Sequence, residues 1–144
     1  MLAFWKNGRS ILGMNARNLR YIRPNNFRHG KTIADNKLLS KKILQKGGLP
    51  TPKLIATIRT HDELSSFDWN QLPQSFALKP NRGFGGGGII VVYAKSKKEE
   101  HAWIKADGSK IGVRDLEDHI QNILDGSFSL SGTPDVAFFE ERMK

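Results

Sequence analysis

The chain has 144 residues, 38% of them hydrophobic, which suits one small globular domain or one domain with an arm. It contains no cysteine, which excludes a disulfide framework, a thiolate metal site and a cysteine nucleophile. The formal net charge of +9 is concentrated at the front, where residues 1–48 hold eleven Lys or Arg against one acid, Asp35, and such a block attracts polyanions. No run of about 18 apolar residues exists, so no membrane-spanning helix is predicted. The start, Met1-Leu2-Ala3-Phe4-Trp5-Lys6, meets charge too early for a secretory signal, and a cytoplasmic location is expected.

Three sections are predicted: residues 1–33, 34–75 and 76–144. The first reads as a basic arm across the core. Phe4, Trp5, Ile11, Leu12 and Met14 suggest a short amphipathic helix there, which Gly8 and Gly13 weaken. Leu19-Arg20-Tyr21-Ile22 is a packing segment, and Pro24-Asn25-Asn26 turns the chain. Asp35 to Lys46 is the strongest helix of the first half. Asp35 is its predicted N-cap. Leu38, Leu39, Ile43 and Leu44 form an apolar stripe, while Lys41, Lys42 and Lys46 face water or a ligand. Gly47-Gly48 stops it. Lys53 to Ile58 follows as a strand, and a short helix begins at Thr60–Leu64 with Thr60 or Asp62 near its cap. Trp69 and Leu72 anchor the approach to the next strand.

That strand, Phe76-Ala77-Leu78-Lys79-Pro80, leads through Asn81 and Arg82 into Gly83-Phe84-Gly85-Gly86-Gly87-Gly88 and out along Ile89 to Val92. The second segment is short and β-branched, so a hairpin closed by a glycine loop is predicted. Such a loop brings backbone N–H groups close to an anion. Lys79 and Arg82 add positive charge beside it. The simplest ligand is a polyphosphate, ATP above all; the bland reading is a flexible turn. Gly83, Gly85 and Gly88 match G-x-G-x-x-G literally, but a strand follows where a dinucleotide fold needs a helix. No Gly-Lys-Ser/Thr ends the loop, which excludes a Walker A loop.

Tyr93 to Glu100 reads as a charged turn and His101 to Ile104 as a strand ending at Asp107-Gly108. Arg114 to Asp125 is a helix whose Leu116, Ile120, Ile123 and Leu124 share one face, and Gly126 ends it. Asp115, Glu117, Asp118 and Asp125 read as a solvated acidic face, and His119 as a solvated side chain on the polar side. Asp135 to Arg142 is the last strand, on which Glu140 and Glu141 point to opposite faces and cannot easily share a metal ion. The four histidines lack metal-ligand spacing, and no Ser–His–Asp arrangement is visible.

The ordered set of Asp35-Asn36-Lys37, Gly48-Leu49-Pro50-Thr51-Pro52, Phe76 to Pro80 with its glycine loop, and a strand running into Glu140-Glu141 resembles the front half of an ATP-grasp domain. Within that superfamily it is similar to the alpha-L-glutamate ligase-related branch, also grouped with sugar-transfer-associated ATP-grasp proteins. Ile11 to Asn18, His119 to Leu124 and Ser129 to Ala137 support that branch. The resemblance implies an α+β fold: a small antiparallel sheet with flanking helices and a glycine-rich hairpin loop. It implies that Lys37 and Lys79 contact the phosphates or the adenine side of the nucleotide, that the glycine loop with Gly83, Gly85, Gly86, Gly87 and Gly88 covers the phosphates with Arg82 binding beside it, and that Glu140 accepts from the adenine amino group. The backbone at Glu141, Arg142 and Met143 would then form the adenine hinge.

The implied reaction is ATP-dependent joining of a carboxylate to an amine through an acylphosphate, with Mg²⁺. The metal ligands and substrate site are expected in a C-terminal half beyond Lys144, and no catalytic residue is assigned within the chain. An apolar strand face near Ile90, Val92 and Phe138 is therefore expected to be exposed and to bring self-association or marginal stability. The alternative is a non-catalytic basic module binding nucleic acid or another polyanion, although the aromatic residues lack the spacing of a known RNA- or DNA-binding module.

Overall fold

The computed structural model describes residues 11–97, 99 and 101–143. It divides into two compact units, Met1–Asp35 and Asn36–Lys144. In the first, a π-type segment over Asn18–Ile22 joins helical segments α1 (Met14–Arg17) and α2 (Arg23–Asn25), and α3 (Arg28–Ala34) follows. None of these segments contains a fully buried residue. Of the predicted amphipathic helix, Phe4 and Trp5 lie outside the described residues.

The second unit is α+β, as expected. It is built from α4 (Lys37–Lys46), β1 (Leu54–Ile58), α5 (His61–Ser65), β2 (Phe76–Pro80), β3 (Ile90–Lys95), β4 (Ala102–Lys105), β5 (Lys110–Gly112), α6 (Val113–Leu124) and β6 (Ala137–Glu141). The six strands form one antiparallel sheet in the order β1-β6-β2-β3-β4-β5. The last strand in sequence therefore inserts between the first two, which brings Glu140 beside the lysine-bearing strand. Ala77 pairs with Glu140 and Lys79 with Phe138.

One face of the sheet closes on α6. Leu116, Ile120, Ile123 and Leu124 of that helix pack with Ile58, Phe76, Leu78, Val92, Trp103, Ala137 and Phe139 into a single core. The predicted spacing of those four α6 residues is what produces this contact, since they recur on one helical face. Phe76 meets Trp103 and Phe139 edge-on at 5.6 and 5.3 Å, and Phe67 stacks on Phe139 at 5.5 Å. The Trp103 indole N–H donates to the Pro73 carbonyl at 3.3 Å. The opposite face carries α4, and the candidate site lies there.

Several expectations are corrected. The N-cap of α4 is Asn36, not Asp35: the Asn36 side-chain oxygen accepts from the Leu39 N–H at 2.8 Å. Tyr93 and Lys95 belong to β3 rather than to a turn. A bulge between Val92 and Ala94 breaks the alternation there, so no period of two runs past Val92. His101 sits at φ +54, so the next strand begins at Ala102. The three-residue edge strand β5 went unread because it is too short to show a period. Val92 and Phe138 are buried rather than exposed, and Ile90 is half-buried. That removes the basis for self-association through this face. Among the described residues, no helix is long and apolar enough to cross a membrane.

Candidate functional site

Lys37 opens α4, and Lys41 follows one turn later on the same side of the helix. Asn36 sets the start of that helix, and the strand end at Asn81 ties it down. The Leu38 N–H donates to the Asn81 side-chain oxygen at 2.9 Å, and the Lys37 N–H to the Asn81 carbonyl at 3.2 Å. The Lys37 ammonium donates to the carbonyls of Gly83 at 2.9 Å and Asn81 at 3.3 Å. It thus stands at the mouth of the glycine loop.

Glu140 lies beneath the helix, almost fully buried. Its Oε1 accepts from Lys79 Nζ at 2.5 Å, and its Oε2 lies 2.6 Å from Lys41 Nζ. Lys41 also donates to the Pro52 carbonyl. Burial pushes the pKa of the Glu140 carboxyl up, but the hydrogen bonds from Lys41 and Lys79 outweigh it, and the group is held below the ordinary glutamate value. Lys37, Lys41, Lys79, Phe138 and Glu140 line a cavity of about 250 Å³ between helix and sheet. This is less than the ~300–1,000 Å³ of ligand-sized clefts, so the face is one wall of a site rather than an enclosing pocket.

Beyond Lys79, the glycine loop joins β2 to β3 as a strapped hairpin. The Arg82 N–H donates to the Asp135 carboxylate at 2.6 Å. Gly83 forms an isolated antiparallel bridge with Ser129, and the Phe84 N–H donates to the Phe128 carbonyl at 3.1 Å. His119 Nε2 lies 2.9 Å from the Gly88 carbonyl oxygen and donates a hydrogen bond to it, and the His119 ring packs 5.1 Å from Phe128. Gly88 adopts φ +74, and a Cβ there would come within 2.7 Å of the Phe128 ring. Only glycine meets both conditions. At the tip, a Cβ on Gly85 or Gly86 would meet nothing within 4 Å, so the backbone stands open.

The structure brings Lys37, Lys79, Glu140 and the start of the loop Gly83–Gly88 together. It keeps the others apart from that cluster. Arg82 is exposed and contributes its backbone N–H; Glu141 is exposed and lines a separate surface cleft with Lys53, Leu54 and Gln71. Arg142 lies over the Tyr93 ring at 4.3 Å, and Met143 is exposed. Three expectations are corrected here. Lys41 faces neither water nor an open ligand surface but is buried against Glu140. His119 is not a solvated surface side chain but holds the glycine loop. In the same helix as Lys41, Ile43 and Leu44 are exposed, so the predicted apolar stripe is narrower than drawn.

Sequence reasoning missed Lys41, Asp135, Asn81 and Phe128. The Lys37–Lys41 spacing of four was the available signal for the first. The other three act across the fold, through separations that no local pattern encodes. Among the described residues, no group of three His, Cys, Asp or Glu side chains comes together to hold a metal ion.

A family model described as sugar-transfer associated ATP-grasp matches residues 16–144. No curated protein and no solved structure gives a significant match. The matched range takes in α4, the glycine loop and the strand bearing Glu140, and the chain belongs to the sugar-transfer associated ATP-grasp family, a domain that supports an ATP-binding, ligase-type module.

Proposed function

We propose that the α4 face of the sheet holds the phosphates and base of ATP, as the nucleotide half of a carboxylate–amine ligase acting through an acylphosphate. The supporting observation is the convergence of Lys37 and Lys79 from two elements on one face, beside a strapped glycine loop with an open tip. The donor set suits the nucleotide. Ammonium groups provide compact charge for phosphate, and open loop N–H groups add an anion-binding concavity. Glu140 is a pure acceptor suited to the adenine amino group, because each of its oxygens accepts more than one hydrogen bond. Residues 141–143 follow it as the hinge beside the base.

The family generally binds ATP and Mg²⁺. The described residues fit the first but offer no three-ligand group for the second. When bound, ATP would supply the phosphoryl group that activates a carboxylate; Lys37 and Lys79 would orient it, and the glycine loop would exclude water from it. The glutamate-ligase label rests on the resemblance of residues 11–18, 119–124 and 129–137.

Titration calorimetry with ATP tests this reading. We expect saturable binding, weakened about ten- to a hundredfold in Lys79→Ala, because a charge-assisted bond contributes roughly 1.5–3 kcal/mol. Binding of single-stranded nucleic acid with a steep salt slope, undisturbed by millimolar ATP, would favour the basic-module alternative instead.

A further inference from the structure

The ion cluster under α4 has an odd charge. Glu140 contributes one negative charge, while Lys41 and Lys79 contribute one positive charge each. Their exposures differ. The Lys41 and Glu140 side chains are 9% and 6% exposed, and Lys79 is 29% exposed. Lys41 is further tethered to the Pro52 carbonyl, whereas the Lys79 ammonium, at the open side, donates to Glu140. Lys41 is therefore enclosed, and Lys79 is the member that a solute can reach.

An isolated Lys79–Glu140 pair would be neutral, and an arriving anion would have to displace the carboxylate. With Lys41 on the other oxygen, the single negative charge is shared between two ammonium groups. We propose that Lys41 is a positioning residue for anion binding: by holding Glu140 Oε2 it leaves Lys79 with net positive charge toward a polyphosphate. The inference rests on the reading that this face takes nucleotide phosphate. It differs from a purely structural role, in which Lys41 only fastens α4 to the segment before β1.

Tripolyphosphate carries the charge without the base and is the probe. Its affinity is measured by calorimetry at one low ionic strength for the wild-type chain, Lys41→Met, Glu140→Gln, the double variant Lys41→Met/Glu140→Gln, and Lys79→Met. Lys79→Met sets the background from the remaining cations. We expect Lys41→Met to bind about tenfold more weakly than wild type. Glu140→Gln is expected to bind more tightly, because Lys79 is released. The double variant is expected to return to wild-type affinity or better.

A structural role would leave the double variant no better than Lys41→Met, and that result overturns the inference. Where Lys41→Met does not fold, the comparison of Glu140→Gln with wild type decides, and equal or weaker binding in Glu140→Gln overturns it. Wild-type chain that binds neither ATP nor tripolyphosphate above the Lys79→Met background overturns the nucleotide reading itself. Binding of both with no recovery in the double variant overturns the inference alone.

Discussion

The two faces of the sheet bury opposite chemistry. Against α6 the contacts are apolar from Ile58 to Phe139, and each square ångström removed from water contributes roughly 25 cal/mol. Against α4 the sheet buries a carboxylate between two ammonium groups. Taking charges out of water is costly, and a buried ion pair is often no better for stability than apolar side chains of the same volume. The difference teaches that stability is concentrated on the α6 face, while the α4 face carries an arrangement whose value lies in charge and geometry.

The largest expected effect is on the apolar face. Trp103→Ala empties the site beneath α6 and should cost about 3–5 kcal/mol in urea unfolding. A loss under about 1 kcal/mol would show that this face is not the main source of stability. On the charged face, Glu140→Ala strands Lys41 without its counter-ion and should cost about 3 kcal/mol. The paired replacement Lys41→Met/Glu140→Leu should recover most of that loss, as no apolar substitution at Trp103 could. A double variant as unstable as Glu140→Ala would erase the contrast between the faces.

Gly88→Ala forces an L side chain into φ +74 against Phe128 and should cost about 1–3 kcal/mol, with faster amide exchange in the loop as a second readout. The contrast is sharpened further by pH. Glu140 is held below its ordinary value of 4.5, so between that value and its lower folded one the unfolded chain binds more protons. The stability it contributes is complete above pH 4.5 and is lost as pH falls through the folded value. Urea midpoints measured across that range should decline in the wild type and flatten in Glu140→Gln. Asp107, held low mainly by the Ser109 hydroxyl, is fully exposed and adds a background slope common to both proteins. The smallest effect is expected at the exposed His61–Asp125 pair, 3.2 Å apart, where Asp125→Ala should change stability by less than about 0.5 kcal/mol.

Much of the apolar face was legible because it is periodic. Leu116, Ile120, Ile123 and Leu124 recur at helical spacing, so local geometry alone assigns them to a common side. The glycine hairpin was legible for a related reason: few structures tolerate so many glycines between two apolar runs. The charged face was only half legible. Lys37, Lys79 and Glu140 stood out as a family pattern, but Lys41 reads as facing water or a ligand, because lysine on a helix is seldom buried. Its partner lies 99 residues away on a strand whose place in the sheet no local spacing reveals. His119 was misread likewise: its contact is the carbonyl of Gly88 on another element.

Local sequence accounts for the hairpin and its loop, the apolar face of α6 and the opposite facing of Glu140 and Glu141, because each follows from backbone periods of 3.6 and 2 or from glycine's missing Cβ, whereas the α+β class came with the family resemblance. Only the tertiary structure decided that β6 lies between β1 and β2, and so that Glu140 meets Lys41 and Lys79. Strand order depends on which long-range pairings bury the most apolar surface together, and that is a property of the whole chain rather than of any stretch of it.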